Sequence, residues 1–129
     1  MSKLDHISVV TNDIEATMKM YSDIFHVECD TPVCVPDQGV ISGYVPLDGC
    51  GIEITQPTDP NGGIQKFIDK HGAGLHHIAY QVEDLDAAEK EYTEKGYRLI
   101  IGTANGRKSI FIHPKSTGGV LIELCPKCE

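Results

Sequence analysis

The sequence predicts an α+β protein in which two tandem β-α-β-β-β modules form a single paired, curved mixed sheet around a metal-containing cleft. The first observation is an internal repeat, because residues 4–27 align with residues 75–98 without a gap. The second is that GIEI at 51–54 matches LIEL at 121–124 at nearly the same spacing. The third is a change of period within each copy, from alternating apolar residues to apolar residues three and four apart. A repeated unit of this kind cannot cover its own apolar face, so the two copies are expected to associate.

The paired copies begin with a strand and continue into a helix. The strands are LDHISVV and LHHIAYQV, followed by the polar pairs Asn12-Asp13 and Glu83-Asp84, which are typical helix N-caps. The helices are predicted to end at a turn at His26 and at Lys95-Gly96. Seven identical positions support this alignment: Leu4, His6, Ile7, Asp13, Ala16, Lys19 and Tyr21 meet Leu75, His77, Ile78, Asp84, Ala87, Lys90 and Tyr92.

Between each helix and the last strand there is room for two more strands. One is expected at about 40–46, before the turn LDGCG, and its counterpart at about 109–113, before the turn PKSTGG. The segment TQPTDPNGG and a short helix at 64–71 join the halves. We therefore predict a single domain with module one at about 1–58, a linker and short helix at about 59–72, and module two at about 73–129.

Composition excludes several classes of function. The formal net charge is -8 and the 11 Lys and Arg residues are scattered, which argues against a nucleic-acid surface. No apolar run is long enough for a membrane span, and the N-terminus MSKLDHI does not resemble a signal peptide. Five cysteines form no regular disulfide framework, so a reducing, cytoplasmic location is expected, and the Cys125/Cys128 tail motif has no assigned role. A small-molecule substrate is the expected partner.

Four side chains with metal-ligating chemistry recur at matching places in the two copies: His6, Glu53, His77 and Glu123. Two imidazoles and two carboxylates suit one divalent ion such as Co, Ni, Mn, Fe or Zn. Because side chains alternate along a strand, His77 shares its register with His6, whereas His76 is expected to point the other way. Each glutamate is flanked by apolar residues, where a metal would offset the cost of burying its charge.

The motifs LDHISVV, GLHHIAYQVEDLDAA and FIHPKSTGGVLIEL resemble the vicinal oxygen chelate superfamily, which includes glyoxalases, bleomycin resistance proteins and dioxygenases. They are most similar to its methylmalonyl-CoA epimerases, over nearly the whole chain. The resemblance implies one divalent metal at His6, Glu53, His77 and Glu123. It also implies an enzyme that removes the proton alpha to a thioester carbonyl through a metal-stabilised enolate.

Epimerisation needs an acid or base on each face of the planar enolate, and here the sequence departs from the family pattern. Glu123 and Glu53 are the candidate catalytic residues, with Glu123 as the first base. The resemblance places the second acid on the strand at 40–46, but VISGYVP contains no carboxylate and Ser42 or Gly43 stands in its place. The nearest acid upstream is Asp37.

Three alternatives to this reaction remain open. A lactoylglutathione lyase (glyoxalase I)-type isomerase uses two His and two Glu with a metal-bound glutamate as base, so Glu53 and Glu123 would serve equally well. A non-enzymatic small-molecule-binding protein of the same fold is the second, although such proteins often lose their metal ligands. An extradiol dioxygenase is the third, and a fourth ligand at Glu53 would block a coordination position that it needs.

An acyl-CoA or another thioester needs cations for its phosphates and carboxylate. Arg107, Lys108 and Lys115 are the candidate substrate-binding residues, and each is also compatible with an ordinary solvated surface position. His113, in FIHPKS, either contacts substrate or supports the fold. Family members are often dimers, so a homodimer is expected.

Overall fold

The computed structural model describes residues 2–104 and 106–127, with the side chain of residue 104 also left undescribed. The strands are β1 (Leu4–Val10), β2 (Val33–Val35), β3 (Val40–Val45), β4 (Gly51–Pro57), β5 (Gly74–Val82), β6 (Leu99–Ala104), β7 (Arg107–Ile112) and β8 (Ile122–Pro126). The helices are α1 (Ile14–Phe25), α2 (Gly63–His71) and α3 (Leu85–Glu94), with short 3₁₀ turns at Pro36–Gln38 and Pro114–Ser116. Among these described helices, none has the length and hydropathy needed to cross a membrane.

The predicted α+β class is confirmed, because β-α-β-β-β occurs twice in the element order. The strands form one mixed sheet in the order β2-β3-β4-β1-β5-β8-β7-β6. The pairs β2-β3, β3-β4, β6-β7 and β7-β8 are antiparallel, whereas β5 and β8 pair in parallel. By its contacts the chain divides into two compact units, residues 7–76 and residues 1–6 with 77–129.

In the unit of residues 7–76, α1 packs on one face of β3 and β4. Its N-cap is Asp13, whose side chain accepts a hydrogen bond from the Ala16 backbone N–H at 3.1 Å. The core beneath the helix consists of Val9, Ile14, Met18, Val45, Ile52 and Ile54. Because strand residues alternate, Ile52 and Ile54 face this core and Glu53 lies on the opposite face of β4.

The unit of residues 1–6 and 77–129 repeats this construction around α3. Asp84 caps the helix by accepting hydrogen bonds from the Asp86 and Ala87 backbone N–H groups at 2.8 and 3.1 Å. The core consists of Ala88, Ile110, Ile112 and Leu124. Leu124 faces α3, so its neighbour Glu123 lies on the opposite face of β8.

Some strands begin or lie elsewhere than the sequence pattern predicts. The predicted strands at 40–46 and 109–113 correspond to β3 and β7, but β7 begins two residues earlier, at Arg107. The positions of β2 and β6 were not predicted. β2 has only three residues, and β7 extends because Arg107 and Lys108 pair with Ala104 and Thr103 of β6. The helix between the halves is confirmed as α2.

Candidate metal centre

Three of the four predicted ligands lie together in the unit of residues 1–6 and 77–129. His6 is on β1, His77 on β5 and Glu123 on β8, and one ligand atom of each lies within 4.8 Å of the others. His77 Nε2 is 2.9 Å from Glu123 Oε1, and His6 Nε2 is 3.4 Å from the same oxygen. The two imidazole rings are 5.5 Å apart and nearly perpendicular. Both Nε2 atoms therefore converge on one carboxylate oxygen.

Strand pairing places these side chains and buries them. Glu123 lies opposite Ala79 of β5 and opposite Phe111 of β7 in the sheet register. The Phe111 ring stands 5.2 Å from that of His77 at 89°, which closes one side of the site. The side chains of His77, His6 and Glu123 are 8%, 12% and 24% exposed, so the carboxylate keeps the most contact with solvent.

The two histidines set the charge state of Glu123. Burial by itself would raise the pKa of this carboxyl. The neighbouring imidazoles of His6 and His77 outweigh burial and lower the pKa to about 2. Glu123 is therefore ionised at neutral pH, as a metal ligand must be.

A second layer of polar groups contacts His6 through its other ring nitrogen, Nδ1. Its Nδ1 is 2.7 Å from Asp5 Oδ2, and Asp5 Oδ1 accepts a hydrogen bond from Gln81 Nε2 at 3.0 Å. Gln81 is held by its own backbone N–H, which donates to the Lys3 carbonyl at 3.0 Å. Donor atoms of Asp5, His6 and Cys125 also lie within 4.8 Å of one another.

This donor set fits a divalent ion. Two imidazole nitrogens and a carboxylate oxygen match the ligands of zinc and other first-row metals, and a carboxylate behind a ligating histidine is the usual outer-layer arrangement. The buried, ionised Glu123 beside two Nε2 atoms supplies the negative charge that a cation would neutralise. The residues present therefore fit a metal site with three protein ligands in this unit.

The fourth predicted ligand, Glu53, lies in the other compact unit. It is half-buried on β4, directly opposite Tyr44 of β3, so the two side chains share a face of the hairpin. Its role as metal ligand and catalytic residue stays a prediction.

The structure decides which residue of β3 could replace the expected acid. A side chain at Gly43 would approach Met18 Sδ to 2.3 Å, so position 43 faces α1 and has no room. Ser42 pairs with Thr55 and projects from the face that carries Glu53. Of the two candidates, Ser42 is therefore the position where a carboxylate could share the Glu53 face.

The candidate substrate cations differ in their surroundings. Lys108 Nζ is 2.8 Å from Asp86 Oδ1 and also contacts Glu89 Oε1, and these hydrogen bonds raise its pKa. Its charge is thus already paired with α3. Arg107 is exposed at the start of β7 and Lys115 is exposed in the 3₁₀ turn. Substrate binding by all three stays a prediction.

The structure also shows the surroundings of His113 and His76, and it describes only one cysteine of the C-terminal pair. His113 Nδ1 accepts a hydrogen bond from the Lys115 backbone N–H at 3.0 Å and so caps the 3₁₀ turn. His76 packs its ring 4.6 Å from Phe67 of α2, which suits a position facing away from His77. Cys128 lies outside the described residues, so the Cys125/Cys128 pair keeps no assigned role.

Sequence reasoning missed Asp5, Gln81 and Phe111. Asp5 precedes a predicted ligand, so strand alternation indicates the opposite face, yet its carboxylate reaches the neighbouring ring. An acid beside a ligating histidine is a usable signal for outer-layer support. Gln81 and Phe111 come from other strands and could be found only from the tertiary pairing.

Comparison with known proteins agrees with this fold. The profile of the glyoxalase/bleomycin resistance protein/dioxygenase superfamily matches residues 5–113. The ethylmalonyl-CoA/methylmalonyl-CoA epimerase of Cereibacter sphaeroides is 34% identical, over 96% of this chain and 97% of its own.

Solved structures give the same relationship. Methylmalonyl-CoA epimerase from Mycobacterium tuberculosis superposes with a TM-score of 0.82 at 32% identity, over 98% of this chain and 89% of its own. A Streptomyces coelicolor methylmalonyl-CoA epimerase variant in complex with 2-nitronate-propionyl-CoA gives 0.82 at 28% identity, over 98% of both chains. The chain belongs to the glyoxalase/bleomycin resistance protein/dioxygenase superfamily, among relatives that are methylmalonyl-CoA epimerases.

Proposed function

We propose that this protein is a metal-dependent isomerase that exchanges and inverts the hydrogen alpha to the thioester carbonyl of methylmalonyl-CoA or a close analogue. The observation that carries the proposal is the convergence of His6 and His77 Nε2 on the ionised Glu123. Relatives named methylmalonyl-CoA epimerases, matched over nearly the full chain, support the substrate class. The complex of the Streptomyces coelicolor enzyme with an acyl-CoA analogue supports it further.

His6, His77 and Glu123 would hold the ion, with Glu53 as the proposed fourth ligand. When bound, a divalent cation stabilises negative charge on the carbonyl oxygen and so lowers the barrier to removing the alpha proton. Glu123 would accept that proton through a carboxylate oxygen, since it is ionised and partly exposed to solvent. The Phe111 ring packs against that of His77 beside these groups.

The homodimer, the cytoplasmic location and the identity of the metal stay predictions. Among the described residues, Cys29, Cys34 and Cys50 form no disulfides, which is compatible with a reducing compartment. The nitrogen and oxygen donors suit Co, Ni, Mn, Fe or Zn.

The test is solvent exchange at the alpha carbon. Apo-protein reloaded with Co²⁺ should incorporate deuterium from deuterated water into methylmalonyl-CoA, as followed by mass spectrometry. Glu123→Gln removes the negative ligand and proposed base, so exchange should fall to background and Co²⁺ affinity should drop at least about 100-fold. Glu28→Gln, the same change at an exposed site in the other unit, should leave both unaffected. Absence of exchange in the loaded wild-type protein would exclude the proposal.

A glyoxalase I-type reaction is the second candidate, favoured by the absence of a carboxylate on β3. Such an isomerase needs only metal-bound glutamates as bases. Turnover of methylglyoxal with a thiol by the loaded protein, without deuterium exchange into methylmalonyl-CoA, would select it over the epimerase.

A further inference from the structure

The two histidines of the candidate metal centre have different surroundings, although the repeat makes them equivalent in sequence. Behind His6 stands Asp5, whose carboxylate is 2.7 Å from Nδ1. The matching position in the second copy is His76, whose ring packs against Phe67 at 4.6 Å. A carboxylate at the position before the ligand is therefore a property of the first copy alone.

The Asp5 carboxylate is itself oriented. Gln81 Nε2 donates to Oδ1 at 3.0 Å, which leaves Oδ2 directed at the imidazole. Gln81 is fixed in turn because its backbone N–H donates to the Lys3 carbonyl. A chain of hydrogen bonds thus runs from the Lys3 carbonyl through Gln81 and Asp5 to the ring of His6.

A carboxylate at Nδ1 decides what Nε2 can do. An ionised carboxylate only accepts hydrogen bonds, so the proton of a neutral His6 must lie on Nδ1. The Nε2 lone pair is then available on the side where Glu123 Oε1 lies, 3.4 Å away. The same contact makes the ring a better donor to a metal and prevents it from rotating.

We propose that Asp5, oriented by Gln81, is a positioning residue for the metal centre: it fixes the Nδ1-protonated tautomer of His6 and aims Nε2 at the ion. This inference rests on the proposed metal site and goes beyond it, because it assigns a role to two residues outside the ligand set. It also makes the two histidines inequivalent, with His6 held by a charged partner.

Metal affinity is the first measurement. Asp5→Asn keeps the shape of the side chain but removes the charge, so Co²⁺ affinity, followed by competition with a fluorescent chelator, should fall by about 10- to 100-fold. Gln81→Leu, which leaves the carboxylate without its orienting donor, should weaken Co²⁺ binding by a smaller factor. Asp5→Glu, which retains a carboxylate, should recover part of the loss. Asp23→Asn is the matched control, because it makes the same change at an exposed position of α1 in the other unit.

The tautomer is the second measurement and separates positioning from a merely structural effect. In Zn²⁺-loaded protein with ¹⁵N-labelled histidine, His6 should show a protonated Nδ1 and a metal-bound Nε2 in the wild type. In Asp5→Asn the Nδ1 proton should exchange faster with solvent. Neither readout depends on turnover, so failure of the epimerase proposal leaves this inference testable. An Asp5→Asn protein that binds Co²⁺ within about twofold of the wild type, with an unchanged Nδ1 proton, would overturn it.

Discussion

Glu123 shows how a single side chain can depend on its neighbours for its charge. It is mostly buried on the face of β8 opposite the Leu124 core, where burial alone would raise the pKa of its carboxyl. His6 and His77 reverse that tendency and lower its pKa to about 2. The residue most exposed to solvent in the trio is therefore also the one that carries a negative charge at neutral pH.

The lowered pKa of Glu123 predicts how the apo-protein responds to acid. Its folded pKa of about 2 lies below the unfolded value of roughly 4.3, so ionised Glu123 contributes stability that is present above about pH 4.3 and is lost as pH falls through about 2. Glu123→Gln cannot titrate. We expect its melting temperature to lie further below that of the wild type at about pH 6 than at about pH 2, measured in a chelator. An equal difference at both pH values would contradict the assigned pKa.

At the scale of the element, β3 and α1 meet so closely that a side chain at Gly43 would have to displace that of Met18. The Met18 thioether lies where a side chain at Gly43 would project. Met18 is 5% exposed and belongs to the core with Ile14, so it has little freedom to move away. This contact, rather than backbone conformation, explains the glycine, because Gly43 has no positive φ.

Gly43→Ala should therefore destabilise the protein by about 1 to 3 kcal/mol through overpacking, as measured by urea denaturation. In a Met18→Ala background the same substitution should cost clearly less, since the clashing atoms are gone. Gly63→Ala is the control, because a side chain there meets no atom within 4 Å and the position opens α2. Equal costs in the two backgrounds would show that Met18 is not the obstacle.

At the scale of the whole molecule, the reaction needs proton transfer on both faces of a planar carbon, but β3 offers no carboxylate. Ser42 shares the strand face of Glu53, whereas Gly43 is closed by α1. A protein with one carboxylate base can return a proton to the face from which it was removed, and this gives exchange without inversion.

We therefore expect deuterium exchange into one epimer of methylmalonyl-CoA to be faster than its inversion in the Co²⁺-loaded wild type. Ser42→Glu adds a carboxylate where the family resemblance places one, so it should raise the ratio of inversion to exchange by at least about tenfold, within the usual contribution of a general acid or base. Ser42→Gln controls for size. Mass spectrometry gives exchange and chiral analysis gives inversion. A wild-type protein that inverts as fast as it exchanges would show that another group supplies the second proton.

The sequence by itself determined the double β-α-β-β-β order, the polar N-cap pairs Asn12-Asp13 and Glu83-Asp84, and the equivalence of His6 with His77. These features rest on period, capping chemistry and an internal repeat, which are local properties that a single chain displays. The same repeat singled out Glu123, and the structure brings it to the two histidines.

Tertiary structure alone decided the surroundings that give those residues their properties. Gln81 reaches Asp5, Phe111 covers His77 and Met18 closes position 43 through pairings between distant segments. Strand alternation predicts that Asp5 lies on the face opposite His6. Its flexible carboxylate nevertheless reaches the ring of this adjacent residue. Such contacts depend on register and packing between elements, and neither follows from the pattern within one element.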